Sequence, residues 1–337
     1  MENSRSLDIN IEMLEYFYGC QALCNVNFSC DYPFGKISIF GKYEAGKTSL
    51  VRAIVGLEKI NKGSIKYCGE DVLNPIKSGL FQVLFTNNNF FKYKSVFSNL
   101  SYILSLQNIE RKNIEFKVLS TLKEMDIIHL KNSKIYKLSP LDLIKVQLAK
   151  LLLRDTKFVL VDNIFSSLNT EERKEAYNIF KNLVDKSINR SFIYTTDLPE
   201  EAITFGGKII ALRYGNMEQE GYWEEFINNP INLYVDRLFN PNRNFRRKND
   251  IPPPLNKFIN INSFENYMVS YSLKECDYDE GLKAKKLNYS SLGGIFLVNT
   301  DLGNIFSQIL KEEYYVNISG ETRYYSTESE KRLTISN

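Results

Sequence analysis

Histidine is almost missing from this chain: His129 is the only one among 337 residues. Ser-His-Asp hydrolysis and multi-histidine metal chemistry therefore have little to build on. Cysteine is scarce too. The five, Cys20, Cys24, Cys30, Cys68 and Cys276, are odd in number, and Cys20 and Cys24 are spaced CxxxC rather than CxxC. Neither a disulfide framework nor a zinc site is expected, and free thiols suit a reducing compartment. No apolar run approaches the ~18 residues that a membrane span needs. Residues 1–14 are acidic and polar where a secretory leader is basic and then apolar. Neither sign of charge dominates, because 43 Lys+Arg face 40 Asp+Glu for a net charge of +3. That balance gives no support to a strongly basic nucleic-acid binder. What remains is a cytoplasmic globular chain, 43% hydrophobic, whose length suggests two domains at roughly 150 residues each.

Short apolar strands alternate with helical patterns through the first part of the chain. Residues 36–40 are a β-branched run, followed by a glycine-rich turn and an amphipathic segment at 48–57. Residues 64–68 and 80–85 read as further strands. From 90 to 153 the pattern is helical, with polar breaks near 107–112 and 132–137. Strands return at 158–161, 192–195 and 209–212, with a helix between the first two. This alternation predicts an α/β fold in which helices flank a parallel sheet, with a helical insertion in the middle. Around 241–257 three successive prolines, Pro252, Pro253 and Pro254, and a small basic cluster (Arg246, Arg247, Lys248) read as a semi-rigid linker. The remainder, rich in Tyr, Ser, Asn, Val and Ile, reads as short strands and turns. The expected division is a first domain over 1–240 with its helical part at about 89–156, the linker 241–257, and a β-rich domain over 258–337.

Gly41, Lys42, Tyr43, Glu44, Ala45, Gly46, Lys47 and Thr48 fit the pattern GxxxxGK[ST] between a strand and a helix. Glycines let the backbone wrap a phosphate with successive N–H groups, and the helix N-terminus adds its positive dipole end. Lys47 is placed to reach the β- and γ-phosphates, Thr48 to offer its hydroxyl to Mg²⁺, and Ser49 follows in the first turn. Further on, the apolar strand 158–161 ends in Asp162, which delivers a carboxylate to the sheet edge. There it can hold Mg²⁺ through water. ATP with Mg²⁺ is the expected ligand.

With these motifs in place the chain resembles an ABC transporter ATPase. Residues 41–57 and 62–72 resemble that family's phosphate loop, first helix and hairpin. Residues 89–104 resemble the segment after its Q-loop, and 137–169 its signature helix, Walker B strand and D-loop. Residues 192–202 and 212–226 are similar to its switch strand and terminal hairpin. Residues 229–240 and 321–333 look like parts of the sugar-importer ATPases, whose C-terminal domain is a regulatory β-barrel of the OB type. The resemblance implies a P-loop (RecA-like) ABC domain with a helical subdomain, followed by a smaller OB-like domain. It places Tyr18 as an aromatic platform for adenine, and it gives the aromatic stretch Phe90, Phe91, Phe97 and Tyr102 a surface for a permease. It also implies transmembrane permease subunits and a second ABC ATPase as partners, at the inner face of the cell membrane, with no nucleic acid.

Several positions depart from the family pattern. Asn163 stands where the family carries its catalytic Glu, Thr196 at the switch histidine and Thr86 at the Q-loop glutamine. Gln82 lies four residues before Thr86, and using it needs a shift of the alignment. The D-loop ends in Asn169 rather than Asp. The signature LSGGQ has become Leu138, Ser139, Pro140, Leu141 and Asp142. Ser139 can still cap a helix and touch nucleotide, and proline suits the first helical position. Pro140, however, has no N–H to give, and Asp142 brings negative charge toward a triphosphate. An amide at 163 can hydrogen-bond water but cannot take its proton. The expectation is an importer subunit, for carbohydrate or a similar small solute, that binds ATP and hydrolyses it weakly or not at all. It would act as one half of a heterodimer. The alternative is a catalytically inactive, ATP-sensing regulatory protein on the same scaffold.

Overall fold

The computed structural model describes residues 5–15, 21–72, 78–87, 89–107, 109–187, 189–241, 243–247, 267–275, 282–292, 295–300, 304–307, 313–326 and 332–333. They divide into two compact units, Met1–Trp223 and Glu224–Asn337.

The first unit is built on a ten-stranded sheet. In chain order its elements are β1 (Ser6–Glu15), β2 (Gln21–Asp31), β3 (Lys36–Phe40), α1 (Lys47–Ile54), β4 (Lys62–Tyr67), β5 (Glu70–Asp71) and β6 (Phe81–Phe85). The helices α2 (Val96–Ser105), α3 (Arg111–Glu124) and α4 (Pro140–Leu153) come next. The unit closes with β7 (Phe158–Asp162), α5 (Thr170–Lys186), β8 (Ser191–Thr196), α6 (Pro199–Phe205), β9 (Lys208–Arg213) and β10 (Asn216–Gly221). Across the sheet the order is β5-β4-β1-β2-β10-β9-β3-β8-β7-β6. The run β9-β3-β8-β7-β6 is parallel, whereas β1 pairs antiparallel with both β2 and β4.

Every residue of β7 is buried, as a parallel strand covered on both faces requires. Successive side chains of a strand point to opposite faces. Phe158 and Leu160 accordingly join one core cluster while Val159 and Val161 join the other. β8 repeats the pattern, with Ile193 in the first cluster and Phe192 and Tyr194 in the second. That second core also holds Phe180 and Phe205, whose rings stack at 5.7 Å.

α2 to α4 fill the stretch expected to be helical, and the two polar breaks fall between them. The second break contains a short 3-10 turn, Ile135–Lys137, and another, Ile128–Leu130, comes just before it. Ser95 caps α2 by accepting the Ser98 N–H at 3.1 Å. The helix expected over 48–57 begins at Lys47 and stops at Ile54, where the chain turns back and the Leu57 N–H donates to the Arg52 carbonyl at 2.8 Å. β1 and β2 were not anticipated. α5 starts from a capping box: the Asn169 side chain accepts the Glu172 N–H at 3.0 Å, and Glu172 reaches back to the Asn169 N–H. Asn169 therefore has a structural task as the N-cap of α5. Asn169→Ala should lower stability by about 1 kcal/mol and Asn169→Asp by much less, as read from urea midpoints.

In the second unit, α7 (Trp223–Asn228) starts at the junction and α8 (Leu233–Phe239) follows. Rings of Phe226 and Phe239 meet at 4.6 Å. The strands are β11 (Asn244–Arg247), β12 (Tyr267–Glu275), β13 (Leu282–Leu292), β14 (Ile295–Thr300), β15 (Asn304–Ser307), β16 (Glu313–Ser326) and β17 (Arg332–Leu333). They form an antiparallel sheet in the order β11-β12-β16-β13-β14-β15, with β17 on β16. β11 lies within the stretch read as linker, because residues 244–247 pair with 268–271 of β12. Pro252, Pro253 and Pro254 lie outside the described residues. Arg243 joins α8 to β12: it lies 3.9 Å from Asp236 and donates to the Ser270 hydroxyl at 2.6 Å.

Candidate functional site

β3 delivers the chain to a loop at Gly41, and the loop ends at Gly46, the N-cap of α1. Gly46 has φ 97°, and a Cβ there would lie 3.0 Å from Leu23 Cδ2 and 3.1 Å from the Ala22 carbonyl oxygen. At Gly41 a Cβ would lie 2.5 Å from that of Ala45 and 2.9 Å from the Leu212 carbonyl oxygen. Both glycines are thus sterically required, one for conformation and one for space. Glu44 also has positive φ, 62°. The loop is anchored by three backbone bonds: Gly41 N–H to the Thr196 oxygen at 3.3 Å, Ala45 N–H to Lys42 at 3.2 Å, and Gly215 N–H to Ala45 at 3.0 Å. Past it, the first-turn N–H groups of α1 have no intrahelical acceptor.

Lys47 is buried, and its Nζ donates to the Gly41 carbonyl at 2.5 Å and the Lys42 carbonyl at 3.0 Å. Burial pushes its pKa below the usual lysine value, against the opposing pull of Asp197 and Asp162. Ser49 is buried, whereas Lys42, Tyr43, Glu44 and Thr48 are exposed. The Lys42 ammonium donates to the Asp197 carbonyl at 3.4 Å.

Asp162 sits at the end of β7, 2% exposed. Its Oδ1 accepts from the Thr195 hydroxyl at 2.8 Å, and the Thr48 hydroxyl hydrogen-bonds it as well. Burial pushes the carboxyl above its usual range, while those two bonds and the charges of Lys47 and Arg52 act against the rise. A cleft of about 410 Å³ opens here, lined by Thr48, Arg52, Phe85, Thr86, Asn89 and Asp162 among others. A glycine loop, a free helix N-terminus, an ammonium, a hydroxyl and a buried carboxylate meet in one place. These groups fit a triphosphate with a divalent cation, since a buried carboxylate is costly unless paired or metal-bound.

The residues expected to depart from the ABC pattern have the following surroundings. Asn163 has φ 46°, a conformation that Asn tolerates better than most residues. Its N–H donates to the Thr195 carbonyl at 3.2 Å, and its buried Oδ1 accepts no hydrogen bond among the described residues. Thr86 follows β6 and donates to the carbonyls of Asp162 (2.9 Å) and Asn163 (3.2 Å), so it links the ends of β6 and β7 beside the cleft. Gln82 points elsewhere: its Nε2 donates to the Lys150 carbonyl at 2.7 Å. Thr196 is buried, and its hydroxyl donates to Glu201 and accepts the Leu198 N–H at 3.1 Å. Its side chain is committed to α6, and only its carbonyl touches the phosphate loop.

Ser139 caps α4, accepting the Asp142 N–H at 3.1 Å and donating to Asp142 Oδ2 at 2.8 Å, with Pro140 in the first turn. It does not line the cleft. Tyr18 lies outside the described residues. Of the aromatic stretch, Phe90 is buried and Phe97 packs on the core, while Phe91 and Tyr102 are exposed and meet edge to face at 5.1 Å.

Sequence reasoning missed Arg52, Thr195 and the ion network behind the loop. In that network Arg173 bridges Asp197 at 2.8 Å and Glu201 at 2.7 Å, and Tyr194 donates to Glu201 at 2.5 Å. A threonine near a strand end and an arginine in a charged helix carry no signal of their own.

Residues 23–166 match the family described as ABC transporter. The chain is 28% identical over 232 residues to the spermidine/putrescine import ATP-binding protein PotA of Haemophilus influenzae, covering 68% of this chain and 62% of the relative. It is 31% identical over 214 residues to PotA of Mannheimia succiniciproducens, covering 63% and 57%. The matched stretch thus spans less than two thirds of these relatives' length. Among solved structures it is similar to CbiO1 from Clostridium perfringens, described as part of the ABC transporter complex CbiONQ. That similarity has a TM-score of 0.59 at 19% identity and covers 66% of this chain and 90% of the other. The chain carries the P-loop fold of the ABC ATPases.

Proposed function

We propose that this chain is the ATP-binding subunit of an ABC importer for a small solute, working with transmembrane permease subunits at the inner face of the membrane. The observation that carries the reading is the joint placement of Lys47, Thr48 and Asp162 around a loop that admits only glycine at its two ends. In this proposal Lys47 leaves the loop carbonyls for the β- and γ-phosphates, the amides of residues 44–48 hold the remaining phosphate oxygens, and Thr48 and Asp162 hold Mg²⁺. That cation, when bound, neutralises phosphate charge and draws Asp162 into its ionised form. Tyr18 stacks on adenine, and the second unit serves as the regulatory OB-like domain. The relatives are named for spermidine and putrescine, whereas the tail resembles sugar importers, so uptake assays should include both solute classes.

We place the chain as the weakly hydrolysing half of a heterodimer. Support comes from the side-chain commitments. Asn163 has no basic oxygen to accept the proton of an attacking water, the Thr196 hydroxyl is turned to Glu201, and the Ser139 hydroxyl is bonded to Asp142. Loss of a general base costs roughly 10²–10⁴ in rate. The purified chain should therefore bind Mg·ATP in calorimetry yet release phosphate at least about 10²-fold more slowly than an ABC ATPase bearing Glu. Asn163→Glu should recover about 10-fold of that loss, less than the full general-base term because Thr86 and Thr196 remain. Rapid turnover by the wild-type chain, abolished in Lys47→Ala, would overturn the inactive reading.

A further inference from the structure

A second cavity, of about 310 Å³, lies between β6, the end of α1, α2 and α4. That is the small end of the range for ligand pockets, roughly 300–1,000 Å³. Its apolar wall includes Val55, Phe81 and Ile103, and its polar groups are Gln82, Lys150 and Arg154. Among the described residues no carboxylate lines it, so two cationic side chains face one space with no lining anion from those residues. The Lys150 ammonium has the face of Phe90 as its neighbour, 3.8 Å from the ring centroid. Desolvation alone brings its pKa down to about 8, with no charge partner pulling the other way. A cation–π contact only partly replaces a counter-ion. Gln82, 5% exposed, gives its Nε2 to the Lys150 carbonyl. That bond fixes the amide, and its Oε1 is left as a buried acceptor with no donor among the described residues.

A cation pair, an apolar wall and one orphaned acceptor together specify a ligand. It needs an anionic head for Lys150 and Arg154, a small hydrophobic body for Phe81 and Ile103, and one O–H for Gln82 Oε1. We propose that this cavity is a binding site for a small amphiphilic 2-hydroxycarboxylate, separate from the phosphate loop. A ligand there contacts β6, α2 and α4 at once and so braces the helical segment against the sheet.

The test is titration of the full chain with 3-phenyllactate, followed by calorimetry and ligand-observed NMR, with 3-phenylpropionate as the analogue lacking the hydroxyl. Phenyllactate should bind, and the analogue should bind about 5- to 10-fold more weakly, as loss of one hydrogen bond to a buried acceptor predicts. Lys150→Met and Arg154→Ala should each weaken binding by roughly 10-fold or more. Lys150→Met removes an unpaired buried charge at similar volume, so its melting temperature at pH 7 should hold or rise, which separates lost binding from lost folding. Affinity should also fall as pH rises through about 8, where Lys150 becomes neutral; Arg154, the other charged group lining the cavity, stays ionised there, and β6, α2 and the end of α1 contribute no titratable group to it. Lys47→Ala should leave phenyllactate binding intact. Absence of binding, equal affinity in Lys150→Met and Arg154→Ala, or loss of binding in Lys47→Ala would each overturn the site.

Discussion

Lys47→Ala should weaken Mg·ATP binding by about 30- to 1,000-fold, read by calorimetry or by fluorescent-nucleotide titration. Two charge-assisted hydrogen bonds to phosphate are worth about 1.5–3 kcal/mol each. Part of that gain is offset, because the same ammonium must first give up the Gly41 and Lys42 carbonyls, at 2.5 and 3.0 Å. A net of about 2–4 kcal/mol remains, and each ~1.4 kcal/mol is tenfold in affinity. The substitution also removes a buried, desolvated charge, so the fold itself should be nearly as stable as before. Unchanged affinity with unchanged stability would mean that Lys47 serves the loop's own carbonyls and not a nucleotide.

Arg173→Ala should produce the largest loss of stability. The guanidinium, with its side chain 12% exposed, donates to Glu201 at 2.7 and 3.0 Å and to Asp197 at 2.8 Å. Truncation leaves the Glu201 carboxylate, itself only 10% exposed, without a cation. Breaking a buried pair from one side costs about 3–5 kcal/mol, which for a unit of this size lowers the melting temperature by roughly 6–20 °C. Nucleotide affinity should fall as well, since Thr196 bonds Glu201 through its hydroxyl and holds the Gly41 N–H through its carbonyl. The pH dependence gives an independent readout. Burial opposes the Asp197 charge, but the hydrogen bond and charge of Arg173 outweigh it and hold the carboxyl below its usual value. A depressed acid stabilises the fold above its unfolded value near 4, and that contribution disappears as pH falls through the lower folded value. In Arg173→Ala this acid-side slope should flatten; a slope identical to wild type would remove Asp197 from the network.

Much of this site was legible in one dimension. The phosphate loop is a contiguous pattern, although its glycines are required partly by distant neighbours, Leu23 and Ala22 at Gly46 and Leu212 at Gly41, and Asp162 ends a run apolar enough to be buried on both faces. The cap of α4 could be read from Ser139 with Pro140, because a cap is a contact across three residues, whereas the capping role of Asn169 at α5 went unread. Even so, β1 was overlooked although Leu7, Ile9 and Ile11 alternate with Asp8, Asn10 and Glu12. β2 was harder to see, since its alternation is interrupted by Asn25 at φ 51°. Residues 244–247 were read as linker from the neighbouring prolines, and only their partner β12 makes them a strand.

The sequence by itself carried the strand, glycine loop and helix pattern expected of a phosphate cradle, and the expectation that Asn163, Thr86 and Thr196 stand where the ABC pattern has other groups. Tertiary structure alone decided what those side chains bond to. Thr196 turns to Glu201, Thr86 ties two strand ends, and Thr195 rather than a neighbour in sequence bonds Asp162. The physical reason is range. Caps are set by interactions within one turn of chain, whereas these partners lie on adjacent strands and helices. Sheet order and register bring them together, and composition carries no trace of either.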